Sequence, residues 1–132
     1  MSTPALGILE VRGMVALAAA VDVMFKASSV RLVGRHMIGS GWLTVVIEGP
    51  TADVQVAIDS GRQEAAAHGD VITAAVVPRP EADALRAMPH DASLQAADAD
   101  ADTGAGYEAL GILETKGVVP LVAAADSMMK AG

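Results

Sequence analysis

Ala5-Leu6-Gly7-Ile8-Leu9-Glu10, closed by Gly13 and followed by Met14, Leu17, Ala18, Val21 and Phe25 at helical spacing, is the stretch on which the fold turns. Ala5 to Arg12 is a short, largely apolar run of strand length. Gly13 punctuates it, and the periodic residues after it predict a helix to about Ser28 with one buried stripe. A strand that leads at once into a helix must find further strands to cover that helix.

The residues downstream supply them. Val30 to Met37 and Trp42 to Glu48 are rich in β-branched residues, and Ile38-Gly39-Ser40-Gly41 joins them as a hairpin. Leu43, Val45 and Ile47 alternate with Thr44, Val46 and Glu48, so one face of this strand is the more apolar. Pro50 opens a second helix, where its missing N–H does no harm. Val54, Ala57, Ile58, Gly61 and Ala65 form the apolar stripe of that helix, which ends around His68-Gly69. Val71 to Val77 is a fourth strand, stopped by Pro78 and Pro80, and 81–88 has the pattern of a short terminal helix. The order β-α-β-β-α-β predicts an α+β fold of the ferredoxin-like kind, a split βαβ sheet with both helices on one face. That order implies no function by itself.

The opening stretch also returns. Ala109-Leu110-Gly111-Ile112-Leu113-Glu114 repeats residues 5–10 at a constant offset of 104, and 15 of the 24 pairs from Ala5/Ala109 to Ser28/Gly132 are identical. They include Gly13/Gly117, Asp22/Asp126, Met24/Met128 and Lys26/Lys130. This is a duplication. The chain therefore divides into a complete domain over 4–90, a linker over 91–108, and the first strand and helix of a second domain over 109–132. As it stands the second unit lacks the strands that would cover its helix, leaving an unpaired edge and an apolar helix face. Such a piece is expected to be disordered or to dock on a neighbour.

Composition narrows the function classes. The chain has no cysteine, which excludes disulfides, thiolate metal sites and cysteine nucleophiles. Aromatics are confined to Phe25, Trp42 and Tyr107, so the core is built from Ala, Val, Ile, Leu and Met. The net charge of −7 is concentrated in the linker. Asp91, Asp98, Asp100, Asp102 and Glu108 stand there without a positive partner, whereas 1–90 carries seven Lys/Arg against nine Asp/Glu. No basic patch points to nucleic acid. The most apolar run, Met14 to Phe25, is interrupted by Asp22 and too short to span a bilayer. His36, His68 and His90 lack metal-ligand spacing. No paired carboxylates, nucleophile–base pair or cofactor fingerprint appears, and Gly39-Ser40-Gly41 is no P-loop because no Gly-Lys-Ser/Thr follows. Neither a metal nor a cofactor is expected.

Taken in order, Ala5-Leu6-Gly7-Ile8-Leu9-Glu10, Asp22-Val23-Met24-Phe25-Lys26-Ala27, Val30-Arg31-Leu32-Val33-Gly34, Ile38-Gly39-Ser40-Gly41 and Val76-Val77-Pro78-Arg79-Pro80 resemble the bacterial microcompartment (BMC) shell domain. The linker and second start resemble the tandem class, in which two such domains are fused and three chains form a pseudohexamer. The resemblance implies a flat tile with a central pore, tiling edge to edge into a polyhedral shell in the bacterial cytoplasm. Its partners would be copies of itself as trimer or hexamer, other shell proteins and encapsulated enzymes, without nucleic acid or membrane. The tile would do no chemistry. Instead, the shell would hold back reactive intermediates while passing substrates and products.

The resemblance also assigns residues. Ile38, Gly39, Ser40, Gly41 and Trp42 match the pore loop, whose backbone N–H groups and Ser40 hydroxyl would favour polar or anionic metabolites. On the tripeptide alone, a hairpin whose glycines allow positive φ is the plainer reading. Trp42 departs from the family pattern, where a polar or basic residue is common, and its indole would narrow the pore, lie on a tile face or pack in the core. Lys26 matches the lysine at the tile edge, although a cation at a helix C-terminus is also favourable against the macrodipole. Arg79, beside Pro80, matches the edge arginine, and its planar fork of donors suits a carbonyl-rich pocket. The competing class is a ferredoxin-like small-ligand regulatory domain with a side cleft. An enzyme is the third possibility and has no supporting constellation.

Overall fold

The computed structural model describes residues 4–38, 41–82, 109–114 and 118–131. Four strands, β1 (Ala5–Arg12), β2 (Arg31–Ile38), β3 (Trp42–Gly49) and β4 (Asp70–Val77), form one sheet in the order β2-β3-β1-β4. Every neighbouring pair is antiparallel. β3 lies between β1 and β2, which is the split βαβ arrangement expected from the element order. Helix α1 (Met14–Ala27) and helix α2 (Thr51–His68) pack on each other and on the sheet. A third helix, α3 (Val118–Ala131), is the helix of the second repeat.

The core lies between the sheet and the two helices. β1 contributes Ala5, Leu9 and Val11, β3 contributes Leu43, Val45 and Ile47, and α2 contributes the stripe read from the sequence, Val54, Ala57, Ile58 and Ala65. On α1 the expected stripe is displaced. Met14 and Phe25 are exposed, and the buried residues are Ala16, Leu17, Ala20 and Met24. Close helix packing explains the shift. Met24 Sδ lies only 2.5 Å from where a Cβ on Gly61 would stand, so α1 and α2 cross with a methionine seated over a bare glycine. The face of α1 that fits this approach is the one lined with alanines, and the bulky Met14 and Phe25 turn outward.

The strand expected at the start of the second repeat does not form, since 109–114 adopts no regular secondary structure. In the first repeat this sequence is a strand because β3 and β4 flank it on both sides. Among the described residues no strand flanks 109–114 as β3 and β4 flank β1. The helix of the second repeat forms nonetheless, as a helix needs only its own backbone. Residues 109–114 lie against α1 of the same chain. The terminal helix expected over 81–88 lies, beyond Ala82, outside the described residues, as does the linker at 91–108.

Candidate functional site: a loop and a rim at opposite ends

The strand register fixes which residues share an end of the domain. Arg12, at the end of β1, pairs with Trp42 on one side and Asp70 on the other. The β2–β3 hairpin, the start of α1 and the end of α2 therefore lie together. Gly13 N–H donates to the Gly41 carbonyl at 3.0 Å, which ties the hairpin to the head of α1. Both glycines hold positive φ, +103° at Gly13 and +81° at Gly41, a conformation that glycine adopts without steric cost.

Of the five loop residues, Gly39 and Ser40 lie outside the described residues. Ile38 closes β2 opposite Trp42. Gly41 is exposed, and a Cβ there would meet no atom within 4 Å, so its backbone angle and not crowding calls for glycine. Trp42 is half-buried, and it is no member of the core. Its ring lies 5.9 Å from the Arg12 guanidinium, a cation–π contact on the face of the sheet away from the helices. Nearby on that face, Thr44 Oγ1 donates to Glu10 Oε2 at 2.9 Å, and Arg31 pairs with Glu48.

Lys26 and Arg79 stand at the other end. α1 runs back along the sheet, and its last turn is held to the start of α2 by Ser28 Oγ donating to the Asp53 carbonyl at 2.7 Å. Gly49, which pairs with Ala5 at the start of β1, lies against Ser29 and Val30. β4 ends with Val77 opposite Leu6, so Pro78-Arg79-Pro80 leaves the sheet at this same end. Lys26 Nζ donates to Asp22 Oδ2 at 2.7 Å and is otherwise exposed, and Arg79 is exposed beside a buried Pro80. An eight-residue strand at about 3.3 Å per residue puts ~26 Å between loop and rim.

The two described histidines share no site. His36 is exposed, His68 Nε2 sits 3.2 Å from Glu64, and His90 is outside the described residues. Among the described residues no cluster of three or more His, Cys, Asp or Glu is arranged to hold a metal. Among the described residues no helix is long and apolar enough to cross a membrane. An open groove between α2 and β4 near Gln55, Asp59 and Arg62 is a counterpart to the side cleft required by a regulatory domain. One contact escaped sequence reading altogether. Glu114 accepts the N–H groups of Met14 at 2.8 Å and Val15 at 2.6 Å. The duplication marked Glu114 as a strand residue like Glu10, and nothing in the pattern pointed it at a helix 100 positions earlier.

The chain belongs to the BMC domain family, whose model matches residues 5–80. It is 37% identical to the carboxysome assembly protein CcmO of Synechocystis over 98% of this chain and 44% of that protein. It is 39% identical to the bacterial microcompartment shell protein PduA of Citrobacter freundii, over 67% of this chain and 96% of that one. A crystal structure of a microcompartment protein from Desulfitobacterium hafniense superposes with a TM-score of 0.57 at 26% identity, covering 68% of this chain and 51% of that one. The chain thus spans less than half the length of the CcmO relative. PduA is covered almost whole by part of this chain, whereas CcmO has counterparts for nearly all of it, the second repeat included.

Proposed function

We propose that this chain is a structural tile of a bacterial microcompartment shell in the bacterial cytoplasm, and that it carries out no reaction. The observation that carries the reading is the placement of loop and rim at opposite ends of one domain. A tile around a symmetry axis needs one end at the axis and the other at the perimeter. The Ile38–Trp42 loop at the axis would form the pore, with backbone N–H groups and the Ser40 hydroxyl facing small polar metabolites. Lys26, Arg79 and Pro80 at the perimeter would meet the next tile.

The 4–90 domain supplies one sector of the tile and the residues from 109 onward begin another, joined by the 91–108 linker. Two sectors per chain favour a trimer of pseudo-sixfold form over a hexamer of single domains. Other shell proteins would share the sheet, and encapsulated enzymes would lie behind it. The small-ligand regulatory reading explains the fold, but it gives no account of the relatives named as shell and assembly proteins.

Light scattering on the purified chain, followed by electron microscopy of concentrated samples, tests the reading. Closed rings that grow into flat sheets are expected. A chain that stays monomeric at every concentration overturns it. Lys26→Asp and Arg79→Ala should abolish the sheets while leaving the ring mass unchanged. Sheets that persist in both variants remove these residues from the rim.

A further inference from the structure

α1 begins without a cap of its own. Its N-cap residue, Gly13, has no side chain, and its first turn contains no acidic residue. Two of the N–H groups left unpaired at a helix start are instead taken by the Glu114 carboxylate. Negative charge at this end of a helix is favoured by the macrodipole as well as by the hydrogen bonds. Beside this contact, Ala109, Leu110 and Ile112 border a cleft of about 500 Å³ whose other wall is Val15, Ala18, Ala19, Asp22 and Lys26.

The residues that make this contact are the repeat counterparts of Leu6, Ile8 and Glu10. In β1 those three alternate with Ala5, Gly7, Leu9 and Val11, which face the core, so they belong to the face of the sheet away from the helices. The counterparts of the three residues that β1 turns away from the helices thus meet α1 in the second repeat, with Ala109, the counterpart of Ala5, beside them. Such a contact is heterologous, with different patches on the two sides. One chain makes it once and leaves each patch over once. Among the described residues nothing caps the head of α3, where Val119 is 80% and Val122 is 61% exposed, the counterparts of Val15 and Ala18. The spare strand face is that of β1. Leu6 is already buried there, which leaves half-buried Ile8 and Glu10.

We infer that Glu10 of one copy of this chain caps the start of α3 in a second copy, accepting the N–H groups of Val118 and Val119, with Ile8 laid over Val119 and Val122. The inference rests on the reading of the chain as a ring-forming tile, and it names the residues that close the ring. Thr44 does not block the contact. It occupies one oxygen of Glu10, and a carboxylate has about four acceptor positions.

The absence of cysteine in the natural sequence allows the contact to be trapped. In the variant carrying E10C and V119C, a short bismaleimide should link different chains and give covalent dimers and trimers on a denaturing gel. In the matched variant carrying E114C and V15C, the same reagent should give a faster-migrating monomer, because that contact lies within one chain. Rings seen by light scattering without interchain links in the first variant overturn the Glu10 contact and leave the tile reading intact. A chain that never associates overturns the tile reading and the contact with it. E10Q keeps the shape of the side chain and removes its charge. It should weaken ring association about threefold to tenfold with an unchanged circular dichroism spectrum. Association unaltered by E10Q in a folded chain also overturns the contact.

Discussion

Met24 and Met128 occupy the same place in two copies of one sequence, yet the first is fully buried and the second is 58% exposed. Leu17 and Leu121 repeat the contrast at 9% and 46%. Both copies are helical over 14 residues, and both carry the same ion pair one turn apart. The difference lies in what stands opposite. α1 faces α2, where Gly61 leaves room for Met24, while no described residue plays the part of Gly61 for α3. An apolar stripe on a helix is thus a demand for a partner, and it reads the same in sequence whether or not the demand is met.

Truncating the two methionines separates these situations with the largest effect. Met24→Ala removes a fully buried side chain from a tight helix crossing, and a loss of about 2–5 kcal/mol in unfolding free energy is expected. Met128→Ala should change stability by no more than ~0.5 kcal/mol, as for other exposed positions. Urea titration followed by the fluorescence of Trp42, the only tryptophan, measures both. Equal losses would mean that α3 is packed as tightly as α1, which would dissolve the contrast.

The same contrast explains what could be read in advance. The element order, the sheet and the stripe of α2 were legible because the hydrophobic period and the turn residues, Gly39 to Gly41 and Pro50, agree with each other. The stripe on α1 was legible only in part, since Leu17 and Val21 meet the core but Met14 and Phe25 do not. Its residues from Ala16 to Met24 are apolar on nearly every side, so periodicity could not choose between the Met14–Phe25 face and the Ala16–Met24 face. Only Gly61, 37 positions beyond Met24, makes that choice. The site divides in a similar way. Lys26 and Arg79 were singled out as candidates by the ordered family motifs and Trp42 by its departure from them, and their arrangement at two ends follows from strand register, which alternation alone does not give. Glu114 was illegible because an identical hexapeptide does two jobs. As Ala5–Glu10 it is a strand between strands, and as Ala109–Glu114 it is a strap on a helix.

That divided role gives the next effect in size. Removing Glu114 leaves the N–H groups of Met14 and Val15 to water, whereas its repeat counterpart Glu10 bonds a threonine hydroxyl beside it in the sheet. Glu114→Ala should therefore lower the stability of the first domain by about 0.5–1 kcal/mol, the range for a lost helix cap at an exposed site. The loss should shrink as salt is raised, since the charge is screened. A double variant with Gly13→Ser or Gly13→Asp would be a poor rescue, because Gly13 sits at φ +103°, where side chains other than glycine are strained. Unchanged stability in Glu114→Ala would mean that the strap spends most of its time off the helix, and that the two hexapeptides differ less than their contacts suggest.

The smallest effect should come from the lysines, and it distinguishes folding from assembly. Lys26–Asp22 at 2.7 Å and Lys130–Asp126 at 2.8 Å are near-identical pairs with lysine side chains 75% exposed in both. An exposed pair at this spacing contributes roughly 0.3–0.5 kcal/mol to a helix. Lys26→Ala and Lys130→Ala should therefore cost the same small amount, within the error of a urea titration. In sheet formation they should part company. Lys26 stands at the end of the first repeat where β4 leaves the sheet, and on the proposed tile its removal should raise the concentration needed for sheets. Lys130 ends a helix that no sheet covers among the described residues, so its removal should leave that concentration where it was. If both lysines move it equally, the rim of the first repeat has no privileged part in tiling, and the contrast between the repeats stops at the core.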